Sequence, residues 1–409
     1  MFPRLTARLR ARFKGIVHTS TTRLKLERSD PIPGPQGPQV GYTLEEMTNI
    51  GEKVLRDIGL LSGFSRLIFV IGHGSTSMNN PHESAHDCGA CGGSRGGPNG
   101  RALAQILNEP RVRDALDKRG IHIPLDTHFV GAMHNTSSEQ LTLADFDLLP
   151  SERRADFEKA NRDLETACNR DAHERARRFD SAPLNLTLDG ARRHMEGRAE
   201  DLSQVRPEWG HATNALCIVA RRERTRGLFL DRRAFLNSYD PTQDDENATV
   251  LTRTLQAVFP VCGGINLEYY FSHVDNPGYG CGTKLPHNIT SLLGVMDGAG
   301  SDLRTGLPWQ MVEIHEPVRL LFVLETRPEV ILGIFDRNPV LARFARNEWI
   351  QLALLDPDSP TIRFFKNGSF EVYQPQSATL PRASSSINWY RGWRDHLEFA
   401  QIGREASNV

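Results

Sequence analysis

The feature that most constrains this chain is an apolar run, Leu67-Ile68-Phe69-Val70-Ile71, that passes directly into a polar, glycine-rich stretch. From Ile71 to Gly100 the sequence reads IGHGSTSMNNPHESAHDCGACGGSRGGPNG. A short run of branched and aromatic residues bounded by glycine reads as a buried strand. Ligand sites of open α/β sheets sit outside the ends of their strands, so the polar stretch is where a site belongs. His73, His82, His86, Asp87, Cys88 and Cys91 crowd this segment, separated by Gly, Ser and Asn instead of apolar residues. Glycine lets backbone approach a ligand closely, and thiolate with imidazole is the donor pair that suits zinc.

Other readings of the same residues stay open at this point. A zinc ribbon needs two Cys-x-x-Cys pairs, and Cys88-Gly-Ala-Cys91 has no second. Thioredoxin-type redox chemistry needs a helix start after the first cysteine, and the flanking glycines do not look like one. A glycine-rich surface loop with one buried thiol is the plain alternative.

His73-Gly-Ser-Thr-Ser, Asn79-Asn80-Pro81 and Asp87-Cys88-Gly-Ala-Cys91-Gly-Gly together resemble, without a gap, the signature of the DabA family, the large soluble subunits of bacterial energy-coupled inorganic carbon transporters. Arg206-Pro-Glu-Trp-Gly210, Phe235 to Asp240, Gly264 to Asn276, Gly280 to Asn288 and Gly306 to Gln310 extend the resemblance, which covers Thr43 to Gln374 and corresponds to the C-terminal portion of longer family members. It implies a β-carbonic-anhydrase-like sheet and a Zn2+ site in which His73 and Cys88 are ligands and Cys91 a neighbour. It also implies hydration of carbon dioxide to bicarbonate, coupled to a membrane-embedded, proton-conducting DabB-like subunit, with this chain peripheral on the cytoplasmic side of the cell membrane.

The family's other two zinc ligands come from a Cys-x-Asp-x-Arg motif, which this sequence lacks. Its remaining cysteines are Cys168, Cys217, Cys262 and Cys281, and none has Asp two positions on. The expectation is therefore a truncated or split form, with the missing Cys and Asp on a separate polypeptide. The rivals are a stand-alone zinc lyase or hydrolase that has recruited Asp126 or His128, and a metal-free interaction remnant.

At 409 residues the chain can form one large or two ordinary domains, and with 39% hydrophobic residues, 24% charged and a net charge of −1 it shows no leaning toward nucleic acid. Scattered cysteines and a start without an apolar signal core fit a reducing cytoplasm. No apolar stretch approaches the roughly 20 residues of a membrane-spanning helix.

Four regions follow in order: 1–41, 42–200, 201–375 and 376–409. The first opens on a basic amphipathic helix, Met1 to Leu26, and closes on a Pro- and Gly-rich linker, Ser29 to Gly41. Thr43-Leu-Glu-Glu46 is a capping box for a helix whose stripe is Met47, Ile50, Val54, Ile58 and Leu61. Arg101 to Lys118 reads as a helix, Ile121 to His134 as a second strand, and Ser151 to Phe179 as one long exposed helix. Asp126, His128 and His134 on the second strand are candidate outer groups around the metal, because a ligating imidazole needs a partner for its second nitrogen.

In the third region Asn214 to Val219 and Arg319 to Glu325 read as strands, Pro328 to Leu332 as another, and Asn338 to Leu355 as helix. Asn266, Tyr269, Tyr270, His273, Asp275, Asn276, Lys284, His287 and Asn288 are polar groups among glycines and suit a cleft. His273, Asp275 and His287 are candidates for proton transfer, since hydration of carbon dioxide releases a proton and histidine titrates near neutrality. The aromatic tail around Trp389 to Trp393 is expected to lie on the body or on a partner.

Overall fold

A computed structural model describes residues 22–75, 94–201, 204, 212–282, 306–377 and 379–403. The fold is α/β, in two compact units. One takes Met1–Arg56, Leu60–Ala176 and Leu186–Glu208; the other takes Asp57–Gly59, Arg177–Asn185 and Trp209–Val409.

The first unit is built on a three-stranded sheet, β1 (Leu67–Gly74), β2 (His128–Asn135) and β3 (Gln140–Leu143), in that order. β1 and β2 are parallel with Leu67 opposite His128 and His73 opposite His134; β3 runs antiparallel to β2. Helix α1 (Leu44–Asp57) starts at the capping box, where Thr43 N–H donates to Glu46 Oε2 (2.8 Å) and Glu46 N–H donates to Thr43 Oγ1 (3.2 Å).

The Pro- and Gly-rich stretch before α1 is folded back instead of extended. Gly34 N–H donates to Gln39 O and Tyr42 N–H to Leu26 O, and buried Arg28 clamps Glu46 and the Gly41 carbonyl.

Expected as one helix, Arg101 to Lys118 is two: α2 (Gly97–Asn108) and α3 (Pro110–Asp117). Pro110 cannot continue α2, so Glu109 turns extended and caps α3. Helix α2 lies on the face of β1 and β2 that carries Ile68, Val70 and Phe129. Its close approach requires glycine: a Cβ on Gly72 would sit 2.1 Å from the Gly96 carbonyl oxygen, and one on Gly131 2.6 Å from Arg101 Cα.

The other face, with Leu67, Phe69 and Val130, packs on Phe157 of α4 (Arg154–Ala176). Helix α4 is not an exposed rod, because Phe157, Cys168, Ala172, Arg175 and Ala176 are buried. Helix α5 (Leu188–Ala199) completes the unit.

The second unit has strands β4 (Leu216–Ala220), β5 (Leu228–Phe229), β6 (Ala234–Ser238), β7 (Leu321–Glu325), β8 (Gln351–Leu355), β9 (Ile362–Lys366), β10 (Ser369–Val372), β11 (Arg382–Ala383) and β12 (Ala400–Ile402). Six form a sheet in the order β10-β9-β8-β7-β4-β6, with β4, β6, β7 and β8 parallel. β11, β12 and β5 form a small sheet beside the buried Tyr390.

Helices α6 (Thr249–Val258), α7 (Ile265–Val274), α8 (Pro328–Arg337) and α9 (Pro339–Arg346) complete the main elements, with α6 and α7 joined through a π-helical turn, Phe259–Gly264. Pro328, at the start of what reads as a strand, instead opens α8: its fixed φ suits the first helical turn. The expected helix over Asn338 to Leu355 ends at Arg346, and Gln351–Leu355 is a strand of the sheet. Among the described residues Cys168, Cys217 and Cys262 are free thiols.

Candidate metal centre

His73 is the last residue but one of β1, exposed, at the carboxyl end of a parallel strand pair. Side chains alternate along a strand, so Leu67, Phe69, Ile71 and His73 share the face turned away from α2, together with Val130, Ala132 and His134 of β2. The chain comes back to this point at Gly96, whose N–H donates to the His73 carbonyl at 2.6 Å. Cys88, the other expected ligand, lies outside the described residues, as do His287, Lys284, Asn288, Cys91 and the Arg206 to Gly210 element.

The strand register separates the three candidates on and before β2. His134 stands opposite His73. His128 stands opposite Leu67, and at about 3.3 Å per residue it is about 20 Å down the strand from His134. Asp126 precedes β2 at that same far end. Its backbone carbonyl accepts from Arg153 Nε at 2.9 Å. Burial, then the charges of Arg113 and Arg153, hold the His128 imidazole below its ordinary range.

Around His134 the structure assembles groups that the sequence did not single out. His134 Nε2 is 2.6 Å from Glu139 Oε2, and Glu139, in the turn between β2 and β3, is buried with a left-handed backbone (φ 56). Arg175 of α4, also buried, pairs with Glu139 Oε1 and donates to the Thr136 carbonyl at 2.7 Å. Cys168, two turns earlier on α4, completes the group: one donor atom each from His134, Glu139 and Cys168 lie within 4.8 Å of one another. Burial, then the Glu139 charge, pushes the Cys168 thiol up.

The polar groups expected to line a cleft in the second unit divide differently. Asn266 and Asn276 are buried and bonded to backbone. Asn266 Oδ1 accepts from Leu320 N–H at 3.2 Å, and Asn276 Nδ2 donates to the Ser272 and Leu307 carbonyls at 3.0 and 3.1 Å. Asp275 caps a short helical turn, accepting from Gly278 N–H at 3.0 Å. His273 Nδ1 is 2.9 Å from the Val312 carbonyl, and its ring lies 5.9 Å from that of His315. His315 is buried, with Nδ1 2.7 Å from the Ala212 carbonyl, and burial pushes its imidazole down to about 4.

At the carboxyl ends of β4 and β7, fully buried Glu325 accepts from Arg221 N–H (2.8 Å), Arg221 Nε (2.9 Å) and Arg224 Nε (2.7 Å). The signal for it was the basic run directly after an apolar strand, Ala220-Arg-Arg-Glu-Arg.

A family model described as "Probable inorganic carbon transporter subunit DabA" matches residues 1–350. The chain belongs to the DabA family. Curated DabA relatives include DabA 2 of Rhodopirellula baltica, 54% identical over 400 residues that make up 98% of this chain and 37% of the relative. DabA of Parafrankia sp. is 51% identical over 378 residues, 92% of this chain and 34% of the relative, and DabA of Dechloromonas aromatica is 47% identical over 400 residues, 96% and 38%. The chain thus spans little more than a third of the length of these DabA relatives. No solved structure matches it. Among the described residues no helix is long and apolar enough to cross a membrane.

Proposed function

We propose that this chain is the zinc-bearing part of an inorganic carbon transporter subunit, with His73 and Cys88 holding one half of a Zn2+ site. The observation that carries the reading is the family match over residues 1–350. His73, at the open carboxyl end of a parallel strand pair, supports it, because that is where α/β sheets present ligands. Imidazole and thiolate are a zinc donor set, and two donors are too few for a closed tetrahedral site. The remaining Cys and Asp are supplied by a polypeptide that carries Cys-x-Asp-x-Arg. A β-carbonic-anhydrase-like sheet, a peripheral position on the cytoplasmic side of the membrane and a proton-conducting membrane subunit belong to the same reading.

The chemistry that the metal supplies when bound is a lowered pKa for water, which makes hydroxide available to attack carbon dioxide near neutral pH. The chain's own contribution is positional. The Gly96 N–H holds the backbone of His73, and Gly72 lets α2 close against β1 just before it.

Elemental analysis of the purified chain, alone and co-expressed with a Cys-x-Asp-x-Arg polypeptide, tests the proposal. The expected result is a zinc content that rises by one per complex on co-expression, a rise that is lost in His73→Ala and Cys88→Ala. Zinc unchanged by either substitution in the complex would overturn it.

A further inference from the structure

We propose that His134, Glu139 and Cys168 form a second cation site, for a borderline divalent ion such as Zn2+, separate from His73 and Cys88. Three elements converge on it: the end of β2, the turn after it and the middle of α4. The donors are one imidazole, one carboxylate and one thiol, each within 4.8 Å of the others. Around a tetrahedral zinc, nitrogen, oxygen and sulfur donors stand about 3.3–3.8 Å apart, as follows from bonds of about 2.0–2.3 Å. The three groups therefore need to move by no more than about the width of a side-chain adjustment to share one ion. Their softness excludes magnesium and calcium, which take oxygen cages.

The carboxylate is arranged for ligation. Arg175 occupies Glu139 Oε1, so the oxygen near His134 is Oε2, at 2.6 Å from the ring nitrogen. A ligating carboxylate whose other oxygen is held by a hydrogen-bond donor is the usual outer arrangement of a metal site. Arg175 is itself fixed by the Thr136 carbonyl at 2.7 Å. Glu139 is buried and holds a left-handed backbone, a conformation that costs energy for a residue other than glycine. On α4, Cys168, Ala172, Arg175 and Ala176 form one buried stripe, so the thiol and the guanidinium approach Glu139 from the same helix face. With three protein donors, a fourth position remains for water or a small anion.

The site does not depend on the reading of His73 and Cys88, and the experiment keeps the two apart. The full-length chain carrying His73→Ala and Cys88→Ala together is titrated with Co2+, followed by the sulfur-to-cobalt charge-transfer band in the near ultraviolet. The expected result is a saturable thiolate–cobalt band at one ion per chain, abolished by adding Cys168→Ala. Glu139→Gln is expected to weaken binding by about 10- to 100-fold. Circular dichroism shows whether each variant keeps its fold, and Cys168→Ala, a small change in a helix, is the least able to disturb it. A folded double variant with no thiolate–cobalt band would overturn the proposal; a band present in the unsubstituted chain and lost in the double variant would leave only the His73 and Cys88 site standing. A band that survives Cys168→Ala would overturn it as well, by assigning the sulfur to another cysteine.

Discussion

Replacing Gly72 by alanine should destabilise the first unit by about 2–4 kcal/mol, and the figure follows from where α2 begins. A Cβ at Gly72 would lie 2.1 Å from the Gly96 carbonyl oxygen and 2.6 Å from Gly97 N, both backbone atoms that no rotamer change can move. Relief requires the start of α2 to retreat from β1 by roughly an ångström, an overpacking cost of about 1–3 kcal/mol. The same retreat pulls Gly96 N–H away from the His73 carbonyl, 2.6 Å off, and forfeits about 0.5–1.5 kcal/mol. The control is Gly197→Ala in α5, where an added Cβ meets nothing within 4 Å. That change should stabilise by about 0.5–1 kcal/mol, the helix-interior difference between glycine and alanine. Urea unfolding of both variants beside the wild type, followed by circular dichroism, measures the contrast. A Gly72→Ala midpoint equal to that of wild type would refute the close-approach argument, since nothing flexible is present to absorb the methyl group.

Further outcomes follow from the second unit. His315 has a folded pKa of about 4 against an ordinary 6.5, so the unfolded chain takes up its proton first as pH falls. The stability tied to its neutral form is whole above pH 6.5 and drains by about 3 kcal/mol between pH 6.5 and 4. His315→Phe should flatten that part of the pH dependence of urea unfolding relative to wild type. Glu325→Ala leaves Arg221 and Arg224 without their shared carboxylate; because those side chains keep 30% and 28% exposure, the cost should be about 2–3 kcal/mol, below that of a fully buried pair. Asn276→Ala strands the Ser272 and Leu307 carbonyls and should lower the thermal midpoint by a cost of about 1–3 kcal/mol, with no effect on zinc content.

What the sequence revealed was local. The strand Leu67 to Ile71, the capping box at Thr43 and the placement of His73 at a strand end all depend on neighbours within a few residues, and periodicity reads such neighbours directly. Pro110 and Pro328 were misread because proline both ends one helix and begins another, and only its partners across space decide which. The separation of His128 from His134 was legible in their spacing along one strand; what stayed hidden was which of them stands beside His73, because that depends on the register of β1 against β2. Glu139 and Cys168 gave no signal at all. One is a charged residue in a turn and the other a lone cysteine in a helix dense with charge, and their meeting depends on how α4 crosses the end of β2.

β1 has a further consequence, for handling the protein. Among the described residues its only strand partner is β2, and on its other border the Gly96 N–H covers the His73 carbonyl while no described strand lies beside Leu67 to Ile71. Its sequence, LIFVIGHG, holds no Lys, Arg, Asp, Glu or Pro, the residues with which proteins blunt such borders. A strand of this kind is adhesive: a second copy, or any extended peptide, can add to it through main-chain bonds alone. Concentrated solutions of the isolated chain should therefore self-associate, and Ile71→Lys, at a position already 41% exposed, should keep it dispersed in light scattering.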